Sequence, residues 1–306
     1  VTGLIGWNDE LTVDLTHGYR IIPIIFSAAI NFLQKARAVR LEAVYYGAYE
    51  KDRSNPPIVD MKDFYLINEW ADAVGRLIDD ADARKLADVA GRSPDFQLRG
   101  LNDPALVEAF NKLTDAVRNV DVQHIHGIAA DALDLVNRKR SQVAGAGEML
   151  LTLVIDKFIS LVNGEPLSGY YDRSYFALQM ELATLLLEHR LFMQAFTVMR
   201  ECIGSLAMVG LDREVRYDNN YGRKERYSYG DVFLRMLQMP EEKWEFDERR
   251  SKISRALMPF YGRLKGCGIV SILKSGSDNP NEVSDDLSIN GLAELRNGFD
   301  HAWISK

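Results

Sequence analysis

Two short apolar runs flank a long apolar segment near the start of the sequence, and this pattern limits the folds open to the chain. Residues 11–15 (LTVDL) and 41–46 (LEAVYY) have the character of strands, and residues 20–39 read as a helix with Pro23 in its first turn. A strand, a turn, a helix and a second strand form a βαβ unit. We therefore predict two parallel strands joined by a right-handed crossover.

The turn after the first strand carries the polar sequence Asp14-Leu-Thr16-His17-Gly18. In a βαβ unit this turn lies at the carboxyl edge of the sheet, where helix amides favour phosphate groups. We predict that Asp14, Thr16, His17 and Gly18 face a ligand there. In the alternative interpretation, Thr16 caps the helix and His17 is an ordinary turn residue. No G-x-G-x-x-G sequence follows the strand, which argues against a nicotinamide enzyme.

From residue 56 onward the sequence has the periodicity of helices. An apolar stripe in residues 61–80 predicts a core position for Trp70, and the polar stretch 92–103 reads as a domain boundary. The other members of this stripe are Phe64, Ile67, Ala71, Val74, Leu77 and Ile78. Residues 104–136 form a long amphipathic segment, in which His124 and His126 would point to different faces of a helix, and this favours a structural role over metal binding. Further helices with broad apolar stripes are predicted at 149–162, 175–190 and 191–206, and a charged helix is predicted at 241–265.

The chain ends in another predicted helix, which carries Arg296, Asn297 and His301. Ser288 or Asn290 would cap it, and its buried stripe would comprise Leu292, Leu295, Phe299 and Ala302. Arginine is a permanent cation that can donate two hydrogen bonds to one phosphate, and histidine titrates near neutral pH. These are the tools needed to cut RNA without a metal ion.

Arg296 and His301 lie about 140° apart around a straight helix, whereas Asn297 and His301 share a face. One helix alone therefore makes a poor catalytic site. Two copies facing each other across a two-fold axis would place two arginines and two histidines around one phosphodiester. We predict a composite site in a dimer.

Residues 213–230 (REVRYDNNYGRKERYSYG) interleave basic and tyrosine side chains. Such a mixture can follow a nucleic-acid backbone and stack unpaired bases. Because acidic residues are mixed in, we favour a solvated loop instead. Residues 275–286 are predicted to be an exposed acidic linker.

The formal charge of −7 gives no general attraction to nucleic acid, so any such site must be local. The two cysteines, Cys202 and Cys267, lack the spacing of a metal site or disulfide framework, which fits a reducing cytosol. No apolar run approaches a membrane span and no signal sequence is visible. We expect a cytoplasmic protein.

The two ends of the sequence resemble one family when they are taken together. The segments VDLTHGYR (13–20) and VYYGAYE (44–50), followed by a helix with Trp70, are similar to the Asp-x-Thr-His-Gly proteins of type III CRISPR systems. These join a Rossmann-like CARF sensor domain to a helical HEPN ribonuclease domain. The terminal LRNGFDHAW resembles the Arg-x4-His motif of the HEPN half, including the polar Asn297.

The resemblance implies a mostly helical protein with an α/β CARF portion over residues 1–95 and an all-α HEPN domain over residues 96–306. It also implies a homodimer or higher oligomer that cuts single-stranded RNA with Arg296, Asn297 and His301. Cyclic oligoadenylate would activate it from the sensor turn, with Arg20 among the contacts. No metal or other cofactor, and no membrane partner, is expected.

Members of this family carry further strands upstream of the Asp-x-Thr-His-Gly strand. Two strands do not make a stable doubly wound sheet, so we expect that this sequence lacks the N-terminal part of the sensor domain. Two other functions stay open at this point. The protein could bind the messenger without cutting RNA, or it could open the messenger ring at the sensor turn.

Overall fold

The computed structural model describes residues 4–16, 22–47, 55, 57–92, 101–143, 145–275 and 288–300, with backbone only at 22, 91–92 and 296–300. The described part is mostly helical and contains one small three-stranded sheet. The sheet precedes nearly all of the helices in the chain. This agrees with the predicted class at the level of mostly helical structure.

The sheet has the order β1 (Glu10–Asp14), β2 (Arg40–Gly47) and β3 (Ile58–Asp60). Strands β1 and β2 are parallel and are joined by α1 (Ile22–Arg37), which confirms the predicted strand, helix and strand. The short β3 pairs with β2 in the antiparallel sense. Val44, fully buried at the centre of β2, packs with Val13 and Ile30 and so fixes α1 against the strand pair.

Helices make up most of the remaining described chain. Several begin with an Asp or Asn side chain that accepts an amide hydrogen bond, as Asp103, Asp172, Asn219 and Asp247 do. The helices are α2 (Lys62–Asp80), α3 (Arg84–Arg92), α4 (Pro104–Arg118), α5 (Ile125–Arg140), α6 (Ala146–Phe158), α7 (Arg173–Glu188), α8 (Phe192–Val209), α9 (Asn220–Gln238), α10 (Glu248–Gly266), α11 (Ile269–Ser275) and α12 (Ile289–Asp300).

Two apolar clusters form the core of the helical part. The larger runs from Trp70 in α2 to Val198 in α8, and the smaller joins α9, α10 and the first turns of α12. Val122, Leu167 and Met199 contact both clusters. The predicted boundary between residues 95 and 96 lies outside the described residues. Helices on both of its sides share the larger cluster, and the division into two domains stays a prediction.

The predicted apolar stripe of α2 is confirmed at Trp70, Val74 and Leu77, which are buried in the larger cluster. It is wrong in the first turn, where Phe64 is 59% exposed and Tyr65 is buried instead. The first turn differs because it packs on the sheet through Tyr65, whereas the later turns pack on the other helices.

The amphipathic segment 104–136 is divided between α4 and α5, since Val120 has φ of 56° and the chain turns there. One prediction about the helices is corrected. Residues 220–230 are not a loop, because α9 begins at Asn220. Among the described helices, none has the length and apolar character needed to cross a membrane.

His189, directly after α7, is a buried titratable side chain. It is 4% exposed and its ring lies against Phe158, with 6.1 Å between ring centroids. Neither ring nitrogen makes a hydrogen bond of normal geometry with the described residues. Burial lowers the pKa of His189, Lys157 lowers it further, and the backbone at Asp79 and the carboxylate of Glu188 partly oppose the shift.

We predict that His189 makes the fold less stable in mild acid. Its pKa is lowered in the folded state, so below the ordinary value of 6.5 the unfolded chain binds more protons and stability falls with pH. The loss is at most about 1.4 kcal/mol per pH unit. Urea unfolding at pH 7.5 and 5.5 should show a smaller difference for His189→Gln than for the wild type.

The matched control is His124→Gln, since His124 is an exposed histidine beside Asp121. This variant should keep the wild-type difference between the two pH values. An unchanged difference in His189→Gln would show that the buried ring does not contribute to acid sensitivity.

Candidate functional site

The carboxyl ends of β1 and β2 meet at one edge of the sheet because the two strands are parallel. The Leu15 amide donates to the Tyr45 carbonyl at 2.8 Å, so the pairing continues into the turn that follows β1. This is the edge at which open α/β sheets bind ligands. The described start of the predicted turn, Leu15 and Thr16, therefore lies at the predicted edge.

Three residues fix the conformation of this turn. The Thr16 amide donates to Oδ1 of the exposed Asp14 at 2.8 Å, which closes a local turn. The Gly47 amide at the end of β2 donates to Oγ1 of Thr16, also at 2.8 Å. The Thr16 hydroxyl thus joins the two strand ends and keeps its own proton available to donate to a ligand.

The structure therefore shows the contacts of two of the five residues predicted to bind a ligand. Asp14 and Thr16 lie together at the edge, where they hydrogen bond within the turn and to β2. His17, Gly18 and Arg20 lie outside the described residues. The role of all five residues in ligand binding stays a prediction.

A cavity of about 720 Å³ opens beside this turn, between α1 and the start of α2. Its lining is mainly apolar and includes two partly exposed aromatic rings, Tyr46 and Phe64. The sequence analysis did not identify either residue as part of a site. Tyr46 belonged to a predicted strand and Phe64 to a predicted core stripe, and only their positions in the fold show that they border one cavity with Leu15.

The second part of the candidate site is the start of α12. The Gly291 amide donates to Oγ of the buried Ser288 at 3.0 Å, which confirms Ser288 as the cap. Ile289 and Leu292 are buried in the smaller core cluster, and the helix packs mainly on α8. Nδ2 of Asn290 lies 3.5 Å from the Gln238 carbonyl at the end of α9.

The predicted catalytic residues fall at the far end of this helix. Arg296 and Asn297 lie within α12, about 9 Å along the axis from Asn290, but only their backbone is described. His301 lies outside the described residues. The structure thus confirms the helix and its cap, while the catalytic geometry stays a prediction.

Other reactive side chains in the described part of the chain offer no competing site. No group of three or more His, Cys, Asp or Glu side chains there could hold a metal ion. Burial raises the pKa of the Cys202 thiol to about 11, although Arg226 opposes the shift. Because the thiolate is the nucleophilic form, Cys202 is a poor nucleophile at neutral pH.

Comparison with known proteins gives one partial similarity. The chain is 31% identical over 65 residues to CRISPR-associated protein MJ1674 of Methanocaldococcus jannaschii. The matched segment is 21% of this chain and 10% of that protein, so the chain spans only about a tenth of the relative that it matches. No family model matches the chain.

The contact between Gly47 and Thr16 gives a testable prediction about this edge of the sheet. A Cβ atom at position 47 would lie 2.7 Å from Cγ2 of Thr16, which is too close. We predict that Gly47→Ala lowers the free energy of unfolding by about 1–3 kcal/mol. Thr16→Ser removes that methyl group and keeps the hydroxyl, so it should recover part of the loss in the double variant, as chemical denaturation would show.

Gly75→Ala is the matched control, since a Cβ there has no atom within 4 Å and the position lies in α2. It should be neutral or stabilising by up to about 1 kcal/mol. If Gly47→Ala costs the same with Thr16→Ser as without it, the two side chains do not meet as described.

Proposed function

We propose that the chain belongs to a CRISPR-associated, messenger-activated endoribonuclease that cleaves single-stranded RNA without a metal ion. The partial similarity to a CRISPR-associated protein supports a CRISPR-related role. The observation that carries the ribonuclease proposal is the Arg-x4-His sequence of Arg296 and His301, whose arginine lies in the helix that Ser288 caps. The parallel βαβ edge supports the sensor half of the proposal.

In the proposed reaction, the 2′-oxygen of one nucleotide attacks the adjacent phosphorus and the bond to the 5′-oxygen breaks. His301 aligns the 2′-hydroxyl and accepts its proton, while Arg296 stabilises the negative charge that grows on the phosphate oxygens. The departing 5′-oxygen takes up a proton from water, and His301 then returns its proton to the solvent. Asn297 orients His301 or the phosphate. The products are a 2′,3′-cyclic phosphate and a 5′-hydroxyl, and no metal is needed.

The helical geometry supports a dimer as the active form. In a straight helix that continued to His301, Arg296 and His301 would be about 140° apart, so one copy would not present both groups to the same phosphate. A two-fold axis beside the end of α12 would bring each arginine towards the histidine of the other copy. The start of α12 contacts α8 and the end of α9. Because of these contacts, the end of α12 that carries Arg296 would keep a constant position relative to both helices.

The sensor edge offers chemistry that suits cyclic oligoadenylate. The Thr16 hydroxyl and the following turn, with His17, Gly18 and Arg20, would meet phosphate groups. The nearby rings of Tyr46 and Phe64 would stack on adenine. Activation then requires that the messenger bind the active arrangement more tightly than the resting one. Equal affinity for both would leave the equilibrium between the two arrangements unchanged.

The test is cleavage of a fluorescent single-stranded RNA in EDTA, with and without cyclic oligoadenylates. We expect messenger-dependent cutting that leaves a cyclic phosphate, and a loss of about 100-fold to 10,000-fold in rate for His301→Ala. Arg296→Ala should show a comparable loss. His124→Ala, which removes an exposed histidine between α4 and α5, should keep the wild-type rate.

Two other outcomes would replace the proposal. Tight messenger binding without RNA cleavage by any form would indicate a sensor alone. Turnover of the messenger that Thr16→Ala or His17→Ala abolishes, and that His301→Ala leaves intact, would indicate an enzyme that acts on the ring itself.

A further inference from the structure

The solvent-facing side of α9 exposes two tyrosine rings. Tyr221 is 68% exposed and Tyr227 is 75% exposed, whereas Gly222 and Gly230 on the other side of the helix are buried. Tyr221, Lys224 and Tyr227 follow one another at intervals of three, so each neighbours the next along an oblique row that turns by about 120° around the helix. We call this row, with Arg223 and the neighbouring Arg249 of α10, the α9 surface.

The cations of the α9 surface differ from the other basic residues of this segment. Arg213 pairs with Glu225, Arg216 with Asp218 and Arg226 with Glu201. In contrast, Arg223 donates only to the neutral side chains of Gln123 and Asn220, and Arg249 donates to Ser228. Within the described residues, Lys224, Arg223 and Arg249 form no ion pair with a carboxylate. Their positive charges therefore remain available to a ligand.

The spacing of the rings suits a flexible strand with planar bases. Tyr221 and Tyr227 are about 9 Å apart along the axis and about 120° apart around it, so a flexible single strand that winds partly around α9 can contact both rings. Lys224 lies between them on the row, where it can meet a phosphate. Exposed aromatic rings interleaved with unpaired cations are the combination by which proteins bind single strands without reading sequence.

A cavity extends the α9 surface at its amino-terminal end. It has a volume of about 320 Å³ and Tyr221 lies in its wall. The Arg216 guanidinium covers the Tyr170 ring in the same wall, at 4.9 Å from the ring centroid. This stacked pair offers a further flat surface next to Tyr221, on which an unpaired base can lie.

We propose that the α9 surface binds the single-stranded RNA substrate. The inference rests on the proposed ribonuclease function and adds to it the face that holds the RNA. Helix α9 also seats α12, because Asn290 contacts the carbonyl of Gln238 at its end. Tyr227 is eleven residues before Gln238, about 17 Å along the axis, so a strand on this face runs along the helix that positions Arg296.

The experiment measures RNA binding to the full chain in a His301→Ala background, which prevents cleavage during the measurement. Fluorescence anisotropy with a labelled single-stranded RNA gives the affinity over a range of salt concentrations. One stacked base contributes about tenfold in affinity. We expect Tyr221→Ala with Tyr227→Ala to weaken binding by about tenfold to a hundredfold, while Tyr221→Phe with Tyr227→Phe keeps the rings and most of the affinity.

The cations are tested separately from the rings. Arg223→Ala with Lys224→Ala should lower the slope of log affinity against log salt by about 1.4, since each lost phosphate contact on a single strand accounts for about 0.7. The matched control is Lys112→Ala with Lys252→Ala, which removes the same charge from exposed lysines that pair with Glu108 and Glu248. The control should leave the slope unchanged.

The outcomes separate this inference from the ribonuclease proposal. Wild-type affinity in both the tyrosine and the arginine–lysine variants would reject RNA binding by the α9 surface. Cleavage assays would still test the nuclease proposal. Loss of binding in these variants, with no cleavage by the wild type, would support the surface and reject the nuclease. Displacement of RNA by polyglutamate at equal charge concentration would overturn the inference in favour of an acidic protein partner.

Discussion

The close approach of α8 and α9 is the contact on which the carboxyl-terminal half of the molecule depends. A Cβ atom at Gly230 would lie 3.0 Å from the Gly204 carbonyl, so the two backbones are nearly in contact. The largely buried Arg226 guanidinium donates to Ser205 and to the Glu201 carbonyl, and pairs with the Glu201 carboxylate. A buried cation requires such partners, and here they join one helix to the other.

This contact determines where the two candidate RNA-binding elements lie. Helix α12 packs on α8 and touches the end of α9, and the tyrosine row lies on the solvent-facing side of α9. The interior between α8 and α9 is apolar, since Met208 of α8 and Phe233 of α9 are buried in the smaller core cluster. The proposed chemistry therefore depends on groups at the ends and surfaces of the helices, while the interior keeps those groups in position.

The elements that depend only on neighbouring residues were predicted correctly from the sequence. The strands around Val13 and Val44 and the cap at Ser288 follow from apolar alternation and capping chemistry within a few residues. The prediction failed at α9 because glycine, charge and tyrosine together resemble a loop. In the fold, Gly222 and Gly230 allow close packing, and this requirement depends on α8, which a local pattern does not contain.

The edge of the sheet at Thr16 shows the same division between local and long-range information. The polar turn at Thr16 was identified from its position after a strand. The Gly47 amide that donates to Thr16 lies 31 positions along the chain, and this hydrogen bond depends on the register of β1 and β2. The cavity near Tyr46 and Phe64 depends on how α1 and α2 pack, so neither local propensity nor periodicity predicts it.

Helix α2 connects two regions that differ in character. Its first turns, with Phe64 and Tyr65, border the cavity at the sheet edge, and its later turns, from Trp70 to Leu77, lie in the larger core cluster. The helix is about 28 Å long and contains no proline. As a stiff rod of that length, it converts a tilt of about 5° at the cavity into a displacement of about 2.5 Å at its far end. Such a displacement is comparable to the helix shifts that switch packed proteins between two arrangements.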